Sequence, residues 1–151
     1  MPLAKDTTYT NVFYDHVIKV LQSKIQDEFQ SIPVYVAPVY VPVGNFSIKI
    51  WGDSASTESM LVDQWTKSYR VNISMYHVTQ NPDEKFWEHL YQYSERLYEL
   101  LQNNYNLSGS FGWRDGKVDE IGYLEYSDLE DETENLYPVK MSFSCLISRS
   151  Q

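Results

Sequence analysis

Residues 139–148 carry the pattern that most narrowly limits what this chain can fold into. Apolar side chains alternate there with polar ones: Val139, Met141, Phe143, Cys145 and Ile147 against Lys140, Ser142, Ser144 and Ser148. Successive side chains of a β-strand point to opposite faces of its sheet, so a period of two is typical of a strand. The pattern predicts a closing strand with one face in a hydrophobic core.

Three further segments are predicted to be strands. Residues 46–51 alternate between apolar Phe46, Ile48 and Ile50 and the residues between them, which favours a half-buried strand. Residues 71–78 alternate in the same way and form the clearest strand of the chain. Residues 118–126 are predicted to form another strand, and the polar residues 52–59 a loop.

Two amphipathic helices are predicted as well. Positions 13, 17, 21, 25 and 29 are all apolar, which places them on one helical face, and Thr8 or Thr10 can cap the start of this helix. For the second helix, Asn81 can cap, Pro82 suits the first helical position and Glu84 can complete a capping box. Its apolar face comprises Phe86, Leu90, Ser94, Leu97 and Leu101. We expect it to end near residues 103–104.

Three segments are predicted to be irregular. Prolines recur through residues 32–42, where they forbid a helix and remove backbone donors, so we expect an irregular edge strand or an extended arm, followed by a turn at residues 44–45. Residues 107–117 contain three glycines and are predicted to be a mobile loop or a hairpin tip. Residues 127–135 contain five carboxylates and are predicted to be an exposed, self-repelling loop.

The predicted elements follow the order helix, strands, helix, strands, with no internal repeat and no linker. A chain of 151 residues is the size of one domain. We therefore predict a single α+β domain over residues 1–151. It has a mainly antiparallel sheet, two amphipathic helices packed on one face, and extended loops.

The charge of the chain limits its partners. Its net charge is −9, and its 12 lysines and arginines are scattered. A protein that grips nucleic acid through phosphates needs a basic stripe, so specific DNA binding is not expected. No apolar run approaches the length of a membrane-spanning helix, and the first residues lack the apolar core of a signal peptide. We expect an intracellular origin and no membrane partner.

The sequence supplies no pattern for a catalytic, metal or cofactor site. Cys145 falls on the apolar side of its strand, where a thiol is inert. His16, His77 and His89 form no metal-binding pair, and His77 is predicted to be a core residue. A calcium loop that starts at Asp128 would need a glycine and a glutamate where the chain has other residues. We expect no enzymatic activity and no cofactor.

Aromatic and charged residues in irregular segments are the candidates for contacts with other proteins. Trp113 and Arg114 are predicted to be exposed together as anchors of an interface. The alternative prediction is that Trp113 folds back onto the sheet as a plug. Tyr35 and Tyr40 lie in the proline-rich segment, and tyrosine suits surfaces that pack against other proteins. The remaining candidates are acidic: Asp128, Glu130, Asp131 and Glu132.

Four stretches carry a resemblance to a known family. They are the opening helix at 12–29, the proline-interrupted arm at 32–42, the strand at 70–76 that leads through Asn81-Pro82 into the long helix at 84–103, and the closing segment 137–146. Their order resembles that of the tail-terminator or tail-completion proteins, the minor capsid and head–tail joining proteins of long-tailed bacteriophages. The resemblance is topological, covers most of the chain and includes no signature motif.

The resemblance implies a structural virion protein of the tail or neck, made in the host cytoplasm. It implies a homo-oligomer, a hexameric ring that caps the tail tube, ends tail growth and joins the tail to the connector of the head. Its partners would be the tail tube protein and the neck proteins. DNA would pass nearby without specific binding, and a net charge of −9 agrees with a conduit that repels a polyanion. The family has no active site to carry over.

Two alternative functions stay open at this point. One is another head–tail joining protein, a stopper or an adaptor. The other belongs to a different class: a small-ligand-binding or enzymatic α+β domain whose sheet and helices enclose an apolar pocket.

Overall fold

The computed structural model describes residues 10–36, 46–62, 64–79, 83–123 and 136–150. A π-helical segment, Phe13–Ile18, leads directly into helix α1 (Lys19–Glu28). Strands β1 (Val34–Val36), β2 (Phe46–Leu61) and β3 (Gln64–Val78) follow. Helix α2 (Glu84–Asn103) separates them from β4 (Arg114–Tyr123) and β5 (Leu136–Ser150).

The five strands form one sheet in the order β1-β2-β3-β5-β4. Only the short β1 pairs in parallel with its neighbour β2, and the other pairings are antiparallel. Ile50, Ile73, Met141 and Ile121 lie side by side across four strands, so the register aligns apolar positions on one face. The predicted α+β class with a mainly antiparallel sheet is confirmed. So is an edge strand in the proline-rich segment, at residues 34–36.

The two helices cover this apolar face. Their buried side chains belong to the same hydrophobic cluster as the face itself, and removal of each such side chain from water contributes about 1.5–3 kcal/mol. The helical contributors include Val17, Ile18, Leu21, Ile25, Leu90, Leu97 and Leu101. One layer of helices on one face of the sheet therefore accounts for the core.

The first helix starts on Asn11 rather than on a threonine. The Asn11 Oδ1 atom accepts a 3.3 Å hydrogen bond from the backbone N–H of Tyr14, so the predicted cap at Thr10 is wrong, and the alternative cap Thr8 lies outside the described residues. The π-helical turn that follows carries Phe13, whose ring lies against Gly52 of β2. A Cβ atom at Gly52 would come within 3.0 Å of that ring. The glycine thus lets the helix approach the sheet closely.

Helix α2 begins after Asp83, so the predicted cap at Asn81 is also wrong. The Asp83 carboxylate accepts a 2.8 Å hydrogen bond from the backbone N–H of Phe86 and satisfies one of the free donors of the first turn. Asn and Asp are comparable as capping residues, and the chain offers both within three positions. The end of the helix at Asn103 agrees with the prediction.

The predicted polar loop at 52–59 is wrong, because these residues are part of β2. They pair with β3 as far as Leu61 and Gln64, with irregularities at Gly52/Ser54 and Thr57/Ser59. Both faces of β2 are exposed beyond Gly52, so no apolar alternation marks this half of the strand. Backbone pairing with β3 holds it in place. We call the paired residues 53–61 and 64–70 the hairpin extension.

The first half of β2 is buried on both faces, although the sequence pattern favours a half-buried strand. Ser47 and Lys49 point away from the helices, yet both are buried as fully as Ile48. The Lys49 ammonium lies 5.4 Å from the ring centroid of Tyr76, which is itself buried. The predicted turn at residues 44–45, most of the proline-rich segment and the acidic segment 127–135 lie outside the described residues.

Candidate interaction surface

Cys145 and His77, the side chains best suited by type to nucleophilic or acid–base chemistry, are both core residues. Cys145 is buried, and burial raises the pKa of its thiol to about 12. His77 is buried between the rings of Phe46 and Phe86, and its Nδ1 lies 3.4 Å from the carbonyl oxygen of Tyr137. Burial lowers the pKa of His77 to about 4, and the contact with Tyr137 opposes this only partly. The predictions for both residues are confirmed.

The other histidines and the carboxylates of the described residues are dispersed over the fold. Within the described ranges, no group of three or more His, Cys, Asp or Glu residues is arranged to hold a metal ion. His16 packs on the ring of Phe111 at 4.7 Å between centroids, and His89 is exposed on α2.

Trp113 is not the exposed anchor of an interface, and this part of the prediction is wrong. Its side chain is 0% exposed and packs on the ring of Phe143. The indole N–H donates a 2.7 Å hydrogen bond to the carbonyl oxygen of Asn104. The alternative, a plug on the sheet, is confirmed. The physical reason is that Trp113 precedes β4 and closes the gap between the end of α2 and the sheet.

The segment around Trp113 is also held more firmly than a hairpin tip. It connects α2 to β4, and the Leu107 N–H donates a 2.8 Å hydrogen bond to the Trp113 carbonyl. The Gly116 N–H donates a second bond of 2.8 Å to the Tyr105 carbonyl. The prediction of a hairpin tip at 107–117 is therefore wrong.

Two of the predicted contact residues are at the surface. Arg114 is exposed and forms a 3.0 Å ion pair with its neighbour Asp115. Tyr35, on the edge strand β1, is 39% exposed. The two lie on different edge strands and form no common site. Tyr40 and the four acidic candidates Asp128, Glu130, Asp131 and Glu132 lie outside the described residues.

The sheet face opposite the helices carries a polar groove of about 510 Å³. Arg70 lies at its centre, and its Nε atom is 3.8 Å from a carboxylate oxygen of both Asp53 and Asp119. Lys117 reaches the same Asp119 at 3.7 Å. Serines from β2, β3 and β5 line the rest. The groove is open and lined mainly by polar residues, unlike the enclosed apolar pockets that bind small ligands.

The most conspicuous exposed feature is the tip of the hairpin extension. Met60, Leu61 and Val62 are 70%, 64% and 95% exposed, the highest values among the large apolar side chains described. The tip was not predicted, because the predicted loop ends at residue 59. The available signal was three apolar residues in succession after a run of serines and threonines.

The comparisons with known proteins extend the description of the fold. No known protein-family model matches the chain, and no curated protein matches it significantly. One solved structure aligns with 93% of this chain and 94% of its own length, at a TM-score of 0.54 and 15% sequence identity. At that identity the likeness shows the fold alone, a single architecture over nearly the whole chain.

Neither helix of the described structure combines the length and the apolar character needed to cross a membrane.

Proposed function

We propose that this protein is a structural virion protein that forms a ring at the end of a phage tail tube, ends tail assembly and joins the tail to the head connector. The observation that carries the proposal is the hairpin extension. Its apolar tip, Met60 to Val62, is exposed to water, and so are both faces of the β2 strand that leads to it. Clustered exposed apolar side chains commonly mark contacts with other proteins.

The charge of the protein supports the same role. A net charge of −9 favours repulsion between this protein and DNA, as a ring that lets DNA pass without binding it requires. The order of helices and strands resembles the tail-terminator family. Partners of the proposed ring are further copies of the chain, in a hexamer, together with the tail tube protein and the neck proteins.

The predicted contact residues that remain are assigned to these interfaces as part of the proposal. Tyr35 and Arg114 are exposed on edge strands, where a neighbouring subunit can reach them. Tyr40 and the acidic residues 128–132 complete the proposed set.

The test is assembly in solution and on tail tubes. We expect the purified protein to have the mass of a multimer by light scattering, with ring-shaped particles in negative stain. We also expect it to cap tubes of the tail tube protein from the same genome. The triple variant Met60→Ser, Leu61→Ser, Val62→Ser should lose at least one of these associations and stay folded. A matched control carries Ser23→Ala and Asp27→Ala on the exposed side of the first helix and Gln30→Ala in the exposed turn that follows it.

The outcomes separate this role from its alternatives. A protein that is monomeric at all concentrations and never associates with tail tubes would refute the proposal. A ring located at the head connector instead of the tube end would identify a stopper or an adaptor. Specific saturable binding of a small molecule by a monomer would favour the ligand-binding class.

A further inference from the structure

Two cations lie among aromatic rings beside the β3 strand of the hairpin extension, on the side of the sheet that carries the helices. The Lys67 ammonium is 5.0 Å from the ring centroid of Tyr69, and the Arg149 guanidinium is 5.6 Å from that of Trp65. Neither cation forms an ion pair with any carboxylate that the structure describes. We call Lys67, Arg149 and these rings the basic patch.

The basic patch is bounded by a residue with an unusual backbone. Phe111 has a φ of +61°, a left-handed conformation that is costly for a residue other than glycine and is retained where the surroundings impose it. Its ring lies 5.2 Å from the Arg149 guanidinium and 4.7 Å from the His16 ring. Arg149 is therefore held between two aromatic rings, and little conformational freedom is left for it to lose on binding.

Helix α2 carries a complementary surface. Glu84, Glu88, Glu95 and Glu99 recur at helical spacing along one exposed face, with the exposed Tyr91 among them. We call these five residues the acidic stripe. None of its glutamates forms an ion pair with a described cation. Of the two cations on α2, Lys85 and Arg96, the latter is bound to Glu28 at 2.7 Å. Like charges four residues apart, as at 84/88 and 95/99, destabilise an isolated helix.

We propose that the acidic stripe of one copy docks on the basic patch of the next, so that neighbouring subunits contact each other head to tail. This inference rests on the proposed ring and names the surfaces that would build it. The occupant of the basic patch is a second copy of this chain. Charge complementarity supports the pairing, and arginine and aromatic side chains are the residue types that interfaces enrich.

The geometry of such a contact agrees with a closed ring. The two surfaces lie on different elements, so a contact between them is heterologous. Every pair of subunits then keeps one acidic stripe and one basic patch free for further copies. Repetition of a heterologous contact gives a ring when the rotation closes. Because copies with a net charge of −9 repel each other overall, local pairing of opposite charges is needed to select this orientation.

Charge reversal on each surface tests the proposal. Glu95→Lys with Glu99→Lys makes the stripe basic, and Lys67→Glu with Arg149→Glu makes the patch acidic. Each variant alone should raise the protein concentration needed for assembly by roughly tenfold or more, since it places like charges against each other. An equimolar mixture of the two should assemble again, and so should one chain with all four substitutions. Wild-type assembly should weaken with salt.

Controls with the same change of charge exclude a general electrostatic effect. Asp27→Lys with Glu120→Lys matches the stripe variant, and Lys24→Glu with Lys117→Glu matches the patch variant. Both controls should assemble like the wild type. Circular dichroism and thermal melting establish that every variant is folded.

The remaining outcomes overturn the inference in distinguishable ways. If the wild type forms rings and both reversed variants do so unchanged, the docking surfaces are wrong and the proposed function stands. If only patch reversal breaks the ring, the partner of the patch is not α2. If a labelled single-stranded oligonucleotide binds the wild type through Lys67 and Arg149, and charge reversal at these two residues leaves assembly unchanged, the ligand of the patch is a polyanion. A wild type that is always monomeric overturns the inference and the ring together.

Discussion

The indole N–H of Trp113 donates a 2.7 Å hydrogen bond to the carbonyl oxygen of Asn104, the residue that caps the end of α2. The last carbonyls of a helix have no partner within the helix, and a buried one without a hydrogen bond destabilises the fold. Trp113 therefore satisfies a helix end and fills the core at the same time. A residue that sequence analysis places among the contact candidates is thereby a structural element.

We predict that Trp113→Ala lowers the free energy of unfolding by about 3–5 kcal/mol, because it opens a cavity beside Phe143 and leaves the Asn104 carbonyl unsatisfied. Urea denaturation followed by far-UV circular dichroism measures the change. Arg114→Ala is the matched control, and its effect should stay within about 0.5 kcal/mol because Arg114 is exposed. Equal stability of the two variants would show that Trp113 is not part of the core.

The surroundings of Gly116 leave no space for a side chain. A Cβ atom there would lie 2.8 Å from the Phe143 ring and 3.0 Å from the Trp113 indole nitrogen. We predict that Gly116→Ala destabilises the protein by about 1–3 kcal/mol through overpacking. On the same strand, a Cβ atom at Gly122 would meet only the Lys140 carbonyl oxygen, at 3.9 Å. Gly122→Ala should be tolerated, and a melting temperature lowered equally in both variants would contradict the prediction.

His77 makes the stability of the fold dependent on pH. Its pKa in the folded protein is about 4, against 6.5 for an unperturbed histidine. Above pH 6.5 the side chain is neutral in both states, and its contribution is fully present. Below that value the unfolded state takes up the proton first, so stability falls as the pH drops toward 4, by about 3 kcal/mol in total.

Chemical denaturation between pH 7 and pH 5 tests this prediction, in a range where few carboxylates titrate. The variant His77→Phe should show a flatter dependence on pH than the wild type. The exposed His89 supplies the control, and His89→Gln should keep the wild-type slope. An unchanged slope in His77→Phe would contradict the assigned role.

Cys145 should resist thiol reagents in the folded protein. Its side chain is buried and its pKa is raised to about 12, so the reactive thiolate is scarce at neutral pH. We predict labelling by a chromogenic disulfide reagent only after denaturation. The variant Ser144→Cys, one residue earlier on the open groove, should be labelled at once. Rapid labelling of the wild type would show that β5 opens readily.

Periodicity in the sequence was informative where one face of an element meets the core. The β5 alternation and the α2 apolar face correspond to the observed burial, because a side chain's position along the backbone fixes the face on which it lies. The hairpin extension escaped prediction for the same reason. Its β2 strand has water on both faces and leaves no apolar period, although it pairs with β3 as far as Leu61.

The sequence by itself determined the class of the fold, the buried state of Cys145 and His77, and the acidity of the surface. Tertiary structure decided between the two readings of Trp113, because only the distance between the end of α2 and the sheet reveals a gap for an indole to fill. It also brought Arg149 of β5 against the rings of Phe111 and of Trp65 in β3, the latter across more than 80 positions of sequence. Local propensity carries no information about such contacts, since they arise from strand register and helix packing.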